Sequence, residues 1–181
     1  METHPLLHHY APDFELPGVD GEVYHLRRLL PTAEAIAVII MCNHCPYVQA
    51  AIDTMKAIQT DYQGRVQLIG INPNDDQRYP QDSFDKMKVF AQERGLNFPY
   101  LRDPTQDVAL GFKAKVTPEA FLIDPQGVIR YAGGIEERYP TGTGSTGLRL
   151  AIEQFLHSQP VAVDCTAMGC SVKWKPEKQA P

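Results

Sequence analysis

The chain has 181 residues, with 17 Lys+Arg against 22 Asp+Glu and a formal charge of −5, so it is the size of an ordinary domain and not a general binder of polyanions or nucleic acid. Apolar residues make up 43%, enough for a packed core, which excludes wholesale disorder. Four cysteines are too few for a disulfide-built fold, so their positions matter more than their number.

The N-terminus shows no basic cluster followed by an apolar core, so a cytoplasmic location is expected. The longest apolar run, residues 35–42, has the length of a strand and not of a membrane span. Residues 1–10 read as a loose lead-in. An extended segment over 11–17, an Asp20-Gly21 turn and a return over 22–26 predict a hairpin added at a sheet edge, within 11–30. Residues 27–30 fit a single helical turn before Pro31. The run 35–41 has the composition of a strand buried on both faces. Beyond Pro46 the period changes: Val48, Ile52, Met55 and Ile58 mark an amphipathic helix to about Tyr62, closed by Gly64. Residues 66–71 are the next strand.

A polar loop follows over 72–80. Its Asn72, Asn74, Asp75 and Asp76 lack the glycine and terminal glutamate of a calcium loop. Asp82 or Ser83 can cap a helix over 84–94 with Phe84, Met87 and Phe90 on its apolar face. Asp103-Pro104 reads as the start of a helix through Gly111. Residues 119–124 and 128–132, joined by Pro125-Gln-Gly127, form a second hairpin. The glycine- and threonine-rich stretch 141–147 reads as mobile, and residues 148–156 form a last helix with Leu148, Ile152, Phe155 and Leu156 on one face. The order predicts an α/β sandwich of three layers with a mixed central sheet, and a C-terminal extension over 158–181.

Cys42 and Cys45 stand at the junction of the buried strand and the long helix. A Cys-x-x-Cys spacing means zinc or redox chemistry. In this setting the thiols leave the carboxyl edge of a sheet and meet the unpaired amides of a helix start, which favour a thiolate. The expectation is an accessible, low-pKa Cys42, with His44 tuning it and Cys45 resolving the intermediate. Thr117-Pro118 just before the later strands is expected to be a cis bond that sets a backbone edge beside Cys42. Asn43, Pro46, Tyr47 and Asn72 are pocket candidates, with Tyr79 and Tyr100 as ordinary half-buried tyrosines.

This constellation resembles the thioredoxin fold, and the early Ala-Pro-Asp-Phe hairpin resembles the peroxiredoxin and membrane-anchored thiol-reductase branch, including the AhpC/TSA-related proteins. It is most similar to small peroxiredoxin-like proteins, on Cys-Asn-His-Cys-Pro-Tyr-Val at 42–48, Ile-Asn-Pro-Asn-Asp at 71–75, Phe-Pro-Tyr-Leu-x-Asp at 98–103 and Gly-Cys-Ser-Val-Lys-Trp-Lys at 169–175. The resemblance covers nearly the whole chain and implies one thioredoxin-like domain over 1–181. It implies a thiol–disulfide oxidoreductase or peroxiredoxin-like antioxidant that acts on a small peroxide or a protein disulfide. Electrons would come from a thioredoxin- or glutathione-type donor, with no membrane partner and with self-association left open. No flavin or haem motif is present, so no cofactor and no resident metal are expected. The chain departs from both parents: Met41 precedes the first cysteine where thioredoxins carry an aromatic residue. The peroxidatic position of peroxiredoxins corresponds to Cys45 instead of Cys42.

In the tail, Cys170 is either a buried inert thiol or a resolving one, and Lys173 and Lys175 add positive potential near it. Cys165 has the weaker claim, although its spacing allows a local disulfide with Cys170. The competing reading is a binding or scaffold protein of the same fold with structural or zinc-ligating cysteines. A redox sensor would use the same chemistry for signalling.

Overall fold

The structure, a computed structural model, describes residues 3–136 and 146–181. An antiparallel hairpin of β1 (Glu15–Pro17) and β2 (Val23–His25) opens the chain, followed by the single turn α1 (Leu26–Leu29). Next come β3 (Ala35–Ile40), the long helix α2 (Pro46–Asp61), β4 (Val66–Asn72), α3 (Phe84–Glu93) and β5 (Tyr100–Arg102). The short helix α4 (Asp107–Gly111) leads to the two-residue strand β6 (Val116–Thr117), then to the hairpin of β7 (Glu119–Ile123) and β8 (Ile129–Gly133). Helix α5 (Gly147–Leu156) and the two-residue strand β9 (Cys170–Ser171) complete the described elements.

The central sheet has the order β5-β4-β3-β7-β8. Strands β3, β4 and β5 run parallel, while β7 and β8 are antiparallel additions. Every residue of β3 is buried, as its unbroken apolar run demands of a central strand. Ala35, Ala37 and Ile39 face α2, α3 and α5, where Val48, Ile52, Met55, Met87, Phe90, Leu148 and Ile152 meet them. Ile36, Val38 and Ile40 face the other way, toward Phe14, Leu16, Leu26, Ala109 and Phe112. The result is the three-layer α/β/α sandwich of the thioredoxin fold. Each fully buried Ile or Leu in these two layers contributes roughly 1.5–3 kcal/mol of transfer free energy.

Several local expectations change. The lead-in is not loose in its described part. His8 N–H donates to Ile129 O at 2.9 Å and Ile129 N–H returns a bond to His9 O at 2.9 Å, so His8 and His9 are fastened to the start of β8. Residues 100–102 form a strand that three residues of pattern were too short to announce. The helix expected from Asp103 starts only at Asp107, because Gln106 takes a left-handed conformation (φ 66°) and 103–106 make a turn. Of the stretch read as mobile, residues 141–145 lie outside the described residues, Thr146 is the N-cap of α5 and Gly147 its first residue.

The antiparallel register pairs Ile40 with Glu119. Continuing that pairing brings Pro118 and Thr117 alongside Met41 and Cys42 at the carboxyl end of β3. The tail folds back to the same place: β9 pairs with β6, setting Thr117 opposite Cys170 and Val116 opposite Ser171.

Candidate active site

The two cysteines occupy different places relative to α2. The helix begins at Pro46, so Cys45 is its N-cap residue and Cys42 lies in the turn before it. Pro46 has no N–H to give. The Val48 amide inside the helix serves Cys45, while Cys42 receives only the amide of Cys45. Both cysteines are buried, Cys42 at 1% exposure and Cys45 at 0%, which corrects the expectation of an accessible Cys42. The 72–82 loop bonds to this turn through Gln81 and Asp82, and Cys170 of the tail packs against the same apolar cluster as the pair.

Thr117 links the pair. The Cys42 Sγ lies 3.6 Å from the Thr117 hydroxyl, and the Cys45 thiol donates to the Thr117 carbonyl at 3.2 Å. The Thr117-Pro118 peptide bond is cis, as expected. The two thiols also interact with each other, so they ionise as a unit. The first proton comes off Cys45, whose pKa is brought down to about 4 by the Cys42 thiol turned toward it, against the opposing effect of burial. The Cys170 thiol, Thr117 and the Val48 amide lower it further. As a thiolate Cys45 accepts from these groups; only as a thiol does it donate to Thr117. Cys42 moves the other way, pushed up by its bond to Cys45, by burial and by the Asp82 carboxylate. The low-pKa sulfur expected at position 42 is thus found at position 45.

Beneath the Cys-x-x-Cys turn lies a buried polar network. Asp82, wholly buried, accepts from Asn43 N–H at 2.7 Å, from Asn74 Nδ2 at 2.8 Å and from His44 Nδ1. Asn43 donates its side-chain amide to Gln81 O at 2.9 Å and accepts from Tyr100 Oη at 2.7 Å. Asn72 donates to Tyr100 Oη at 3.2 Å. Asn43 and Asn72, expected to line a pocket, instead brace this turn, and Tyr100 is fully buried where a half-buried ring was expected. His44 is held by Asp82 and stacks on Tyr79, with ring centroids 5.8 Å apart. Asp82 and Asn74 were missed as site residues. Asp82 read as a helix cap, but Ser83 fills that role by accepting Lys86 N–H at 3.3 Å.

A shallow groove beside the pair is lined by Tyr47, Ala50, Ala51, Pro118, Ile135 and Met168. Tyr47 is the one sequence-chosen pocket residue found there together with Pro118; Pro46 serves as the first residue of α2. One atom each of Cys42, His44 and Asp82 lies within 4.8 Å of the others, a set of donors able in principle to hold a metal ion. Both Asp82 oxygens are already engaged by N–H donors, so ligation there would break bonds that hold the turn. Cys165 is buried in the same apolar cluster as the pair, and its carbonyl accepts Gly134 N–H at 2.8 Å. Among the described residues no cysteine is in a disulfide, including Cys165 and Cys170, for which a local one was open. Burial and the neighbouring Cys45 push the Cys170 thiol up, with Lys173 in partial opposition, whereas Lys175 is tied to Pro104 O at 2.7 Å.

Residues 7–132 match the AhpC/TSA family. The chain belongs to that family. Membership links it, at family level, to thiol–disulfide oxidoreductases and peroxiredoxin-like proteins. No curated protein matches it. Among solved structures it is similar to an uncharacterized conserved protein from Geobacillus kaustophilus, 34% identical, with a TM-score of 0.87 over 98% of this chain and 96% of the other. It is similar also to a hypothetical protein from Sinorhizobium meliloti 1021, 28% identical, with a TM-score of 0.85 over 94% and 95%. An exposed lipoprotein thioredoxin from Streptococcus pneumoniae shares the fold at 21% identity, with a TM-score of 0.60 over 81% and 99%. A secreted disulfide oxidoreductase of Mycobacterium tuberculosis does so at 14%, with a TM-score of 0.58 over 80% and 95%. These last two overturn the cytoplasmic expectation: the fold is at home outside the cytoplasm, and a plain N-terminus does not assign a compartment. Among the described residues no helix is long and apolar enough to cross a membrane.

Proposed function

We propose that the chain is a thiol-dependent oxidoreductase that cycles Cys42 and Cys45 between dithiol and disulfide. The observation that carries this reading is the convergence of both sulfurs on Thr117, next to Pro118, with one of them already favoured as a thiolate. The burial of both sulfurs favours a small oxidant such as a hydroperoxide over a bulky protein disulfide. The Cys45 thiolate attacks one peroxide oxygen, the O–O bond breaks, and the alkoxide takes a proton and leaves. The sulfenic acid on Cys45 then condenses with the Cys42 thiol, giving the disulfide and water. A thioredoxin- or glutathione-type donor supplies two electrons to restore the dithiol. Thr117 and Pro118 position the pair, and His44 with Asp82 holds the turn between the cysteines. The motifs at 42–48 and 169–175 support the finer assignment to the small peroxiredoxin-like group within the family. The reading is tested by turnover of hydroperoxide and of a small disulfide by Cys42→Ser and Cys45→Ser, with a dithiol donor. Cys45→Ser is expected to lose both turnovers and Cys42→Ser to be slowed; full turnover by Cys45→Ser overturns the reading.

The Cys42, His44 and Asp82 cluster favours a second reading, a site for zinc or a similar ion. Metal analysis of the purified chain decides it. Stoichiometric zinc whose removal by a chelator unfolds the protein would replace the redox reading.

A further inference from the structure

We propose that Cys170 is a third redox thiol of this site: the tail docks on the edge of β6 as an internal substrate strand, and Cys170 takes over the disulfide from the buried pair by bonding to Cys45. This rests on the redox reading of Cys42 and Cys45.

The backbone edge at Val116 and Thr117 is where an extended substrate would add a strand beside the cysteines. In this chain that edge is already filled. Cys170 stands opposite Thr117, the same residue whose carbonyl accepts the Cys45 thiol at 3.2 Å. Cys170 therefore sits across a single backbone position from Cys45, and its side chain packs against the core cluster that contains both Cys42 and Cys45. Gly169 makes the approach feasible. A Cβ there would lie 1.8 Å from Thr117 O, so only glycine lets the two backbones come this close. Beyond Cys170 the strand is strapped down. Val172 N–H donates to Lys115 O at 3.1 Å, Lys173 N–H to Asn74 Oδ1 at 2.9 Å, and Lys175 N–H to Gln106 Oε1 at 2.8 Å.

Exposure gives the arrangement a purpose. Cys42 and Cys45 are sealed, so an external dithiol meets neither directly, whereas Cys170 is only partly buried. The step balances internally. The Cys170 thiolate attacks the Cys45 sulfur of the Cys42–Cys45 disulfide; that S–S bond breaks as Cys45–Cys170 forms. Cys42 leaves as a thiolate and takes up the proton that Cys170 released, with no net oxidation. The external oxidant is consumed earlier, in making the first disulfide, and the external reductant later, at the partly exposed Cys170. The buried pair meets the oxidant and the tail carries the oxidation outward.

Disulfide mapping tests this. The full-length wild type, Cys42→Ser, Cys170→Ser and Gly169→Ala are reduced, oxidised with limiting diamide, alkylated, digested and analysed by mass spectrometry. Circular dichroism melts confirm that each variant is folded. Cys42→Ser is expected to form an intramolecular Cys45–Cys170 disulfide, and the wild type both linkages. Cys170→Ser is expected to form Cys42–Cys45 alone. Gly169→Ala, which keeps every thiol but unseats the strand, is expected to form Cys45–Cys170 about tenfold or more slowly while Cys42–Cys45 forms at the wild-type rate. If Cys42→Ser leaves Cys45 and Cys170 alkylatable, or links them only between molecules, while Cys170→Ser still forms Cys42–Cys45, the role of Cys170 is overturned and the pair stands. If folded Cys170→Ser forms no Cys42–Cys45 disulfide, the pair falls, and the exchange with it.

Discussion

Asp82 accepts the backbone N–H of Asn43 at 2.7 Å, so a carboxylate from the far end of the 72–82 loop fixes the turn between the two cysteines. The same carboxylate receives Asn74 Nδ2 and His44 Nδ1, and it is wholly buried. Asp82→Ala leaves these donors without an acceptor in a site that water reaches poorly. Each orphaned donor costs roughly 1–3 kcal/mol, so a loss of about 2–5 kcal/mol is expected from urea unfolding. The substitution also removes a negative charge that raises the Cys42 pKa, so Cys42 should ionise at lower pH than in the wild type. A variant of wild-type stability would show that the network does not hold the turn.

Tyr100→Phe separates packing from hydrogen bonding in the same network. The ring is fully buried and its hydroxyl joins Asn43 Oδ1 at 2.7 Å to Asn72 Nδ2 at 3.2 Å. Phenylalanine keeps the volume and strands the two asparagines. A loss of roughly 1–3 kcal/mol is expected in the urea midpoint, with little change in the rate of Cys42–Cys45 disulfide formation. A large kinetic effect with unchanged stability would contradict the bracing role.

What could be read from the sequence was what repeats or alternates. Val48, Ile52, Met55 and Ile58 announce α2 because a helical stripe persists over about three turns, and all four are buried as expected. The unbroken apolar run of β3 likewise declares a central strand. The three residues of β5 are too few to carry a period. Asp103-Pro104 has the local chemistry of a helix start, but the buried side chain of Gln106 wins by bonding Pro73 O at 2.7 Å and Lys173 O at 2.9 Å. Asp82 failed for a similar reason. Beside Ser83 it reads as a cap, and its true partners are Asn43 and His44, 39 and 38 residues away. The Cys-x-x-Cys pair was visible. Which sulfur meets the helix depended on a start at Pro46, a matter of three residues that pattern alone does not resolve.

The ionisation of the pair sets a pH dependence with a definite sign. Cys45 has a folded pKa near about 4 against an ordinary value of 9.0, so between these limits the unfolded chain holds a proton that the native chain has lost. Stability from this group is fully present above the ordinary value and is lost as pH falls through about 4. Cys42 acts oppositely, because its raised pKa makes the native state keep a proton that the unfolded chain gives up in alkali. The thiolate absorbance of native protein should show one ionised sulfur at neutral pH and resist a second. Cys45→Ser should abolish the neutral-pH signal and flatten the rise of stability with pH. A native protein whose first thiolate appears only in alkali would refute the assignment.

Gln106 ties the tail to the loop that builds the site. Its Nε2 donates to Pro73 O and Lys173 O, while its Oε1 accepts Lys175 N–H at 2.8 Å. Alanine would confuse two effects, since the residue is left-handed at φ 66°. Asparagine tolerates that conformation but is one methylene too short to keep all three bonds. Gln106→Asn should therefore loosen residues 170–178 while leaving the sheet intact. The cover over the thiols depends on that segment, so Cys170 and then Cys45 should alkylate about tenfold faster or more, for a loss of about 1–3 kcal/mol in local stability. Hydrogen exchange should show lost protection at Val172 and Lys173 and none at β3. Uniform loss across the sheet would mean that Gln106 supports the whole fold, and unchanged alkylation would mean that something other than the tail seals the site.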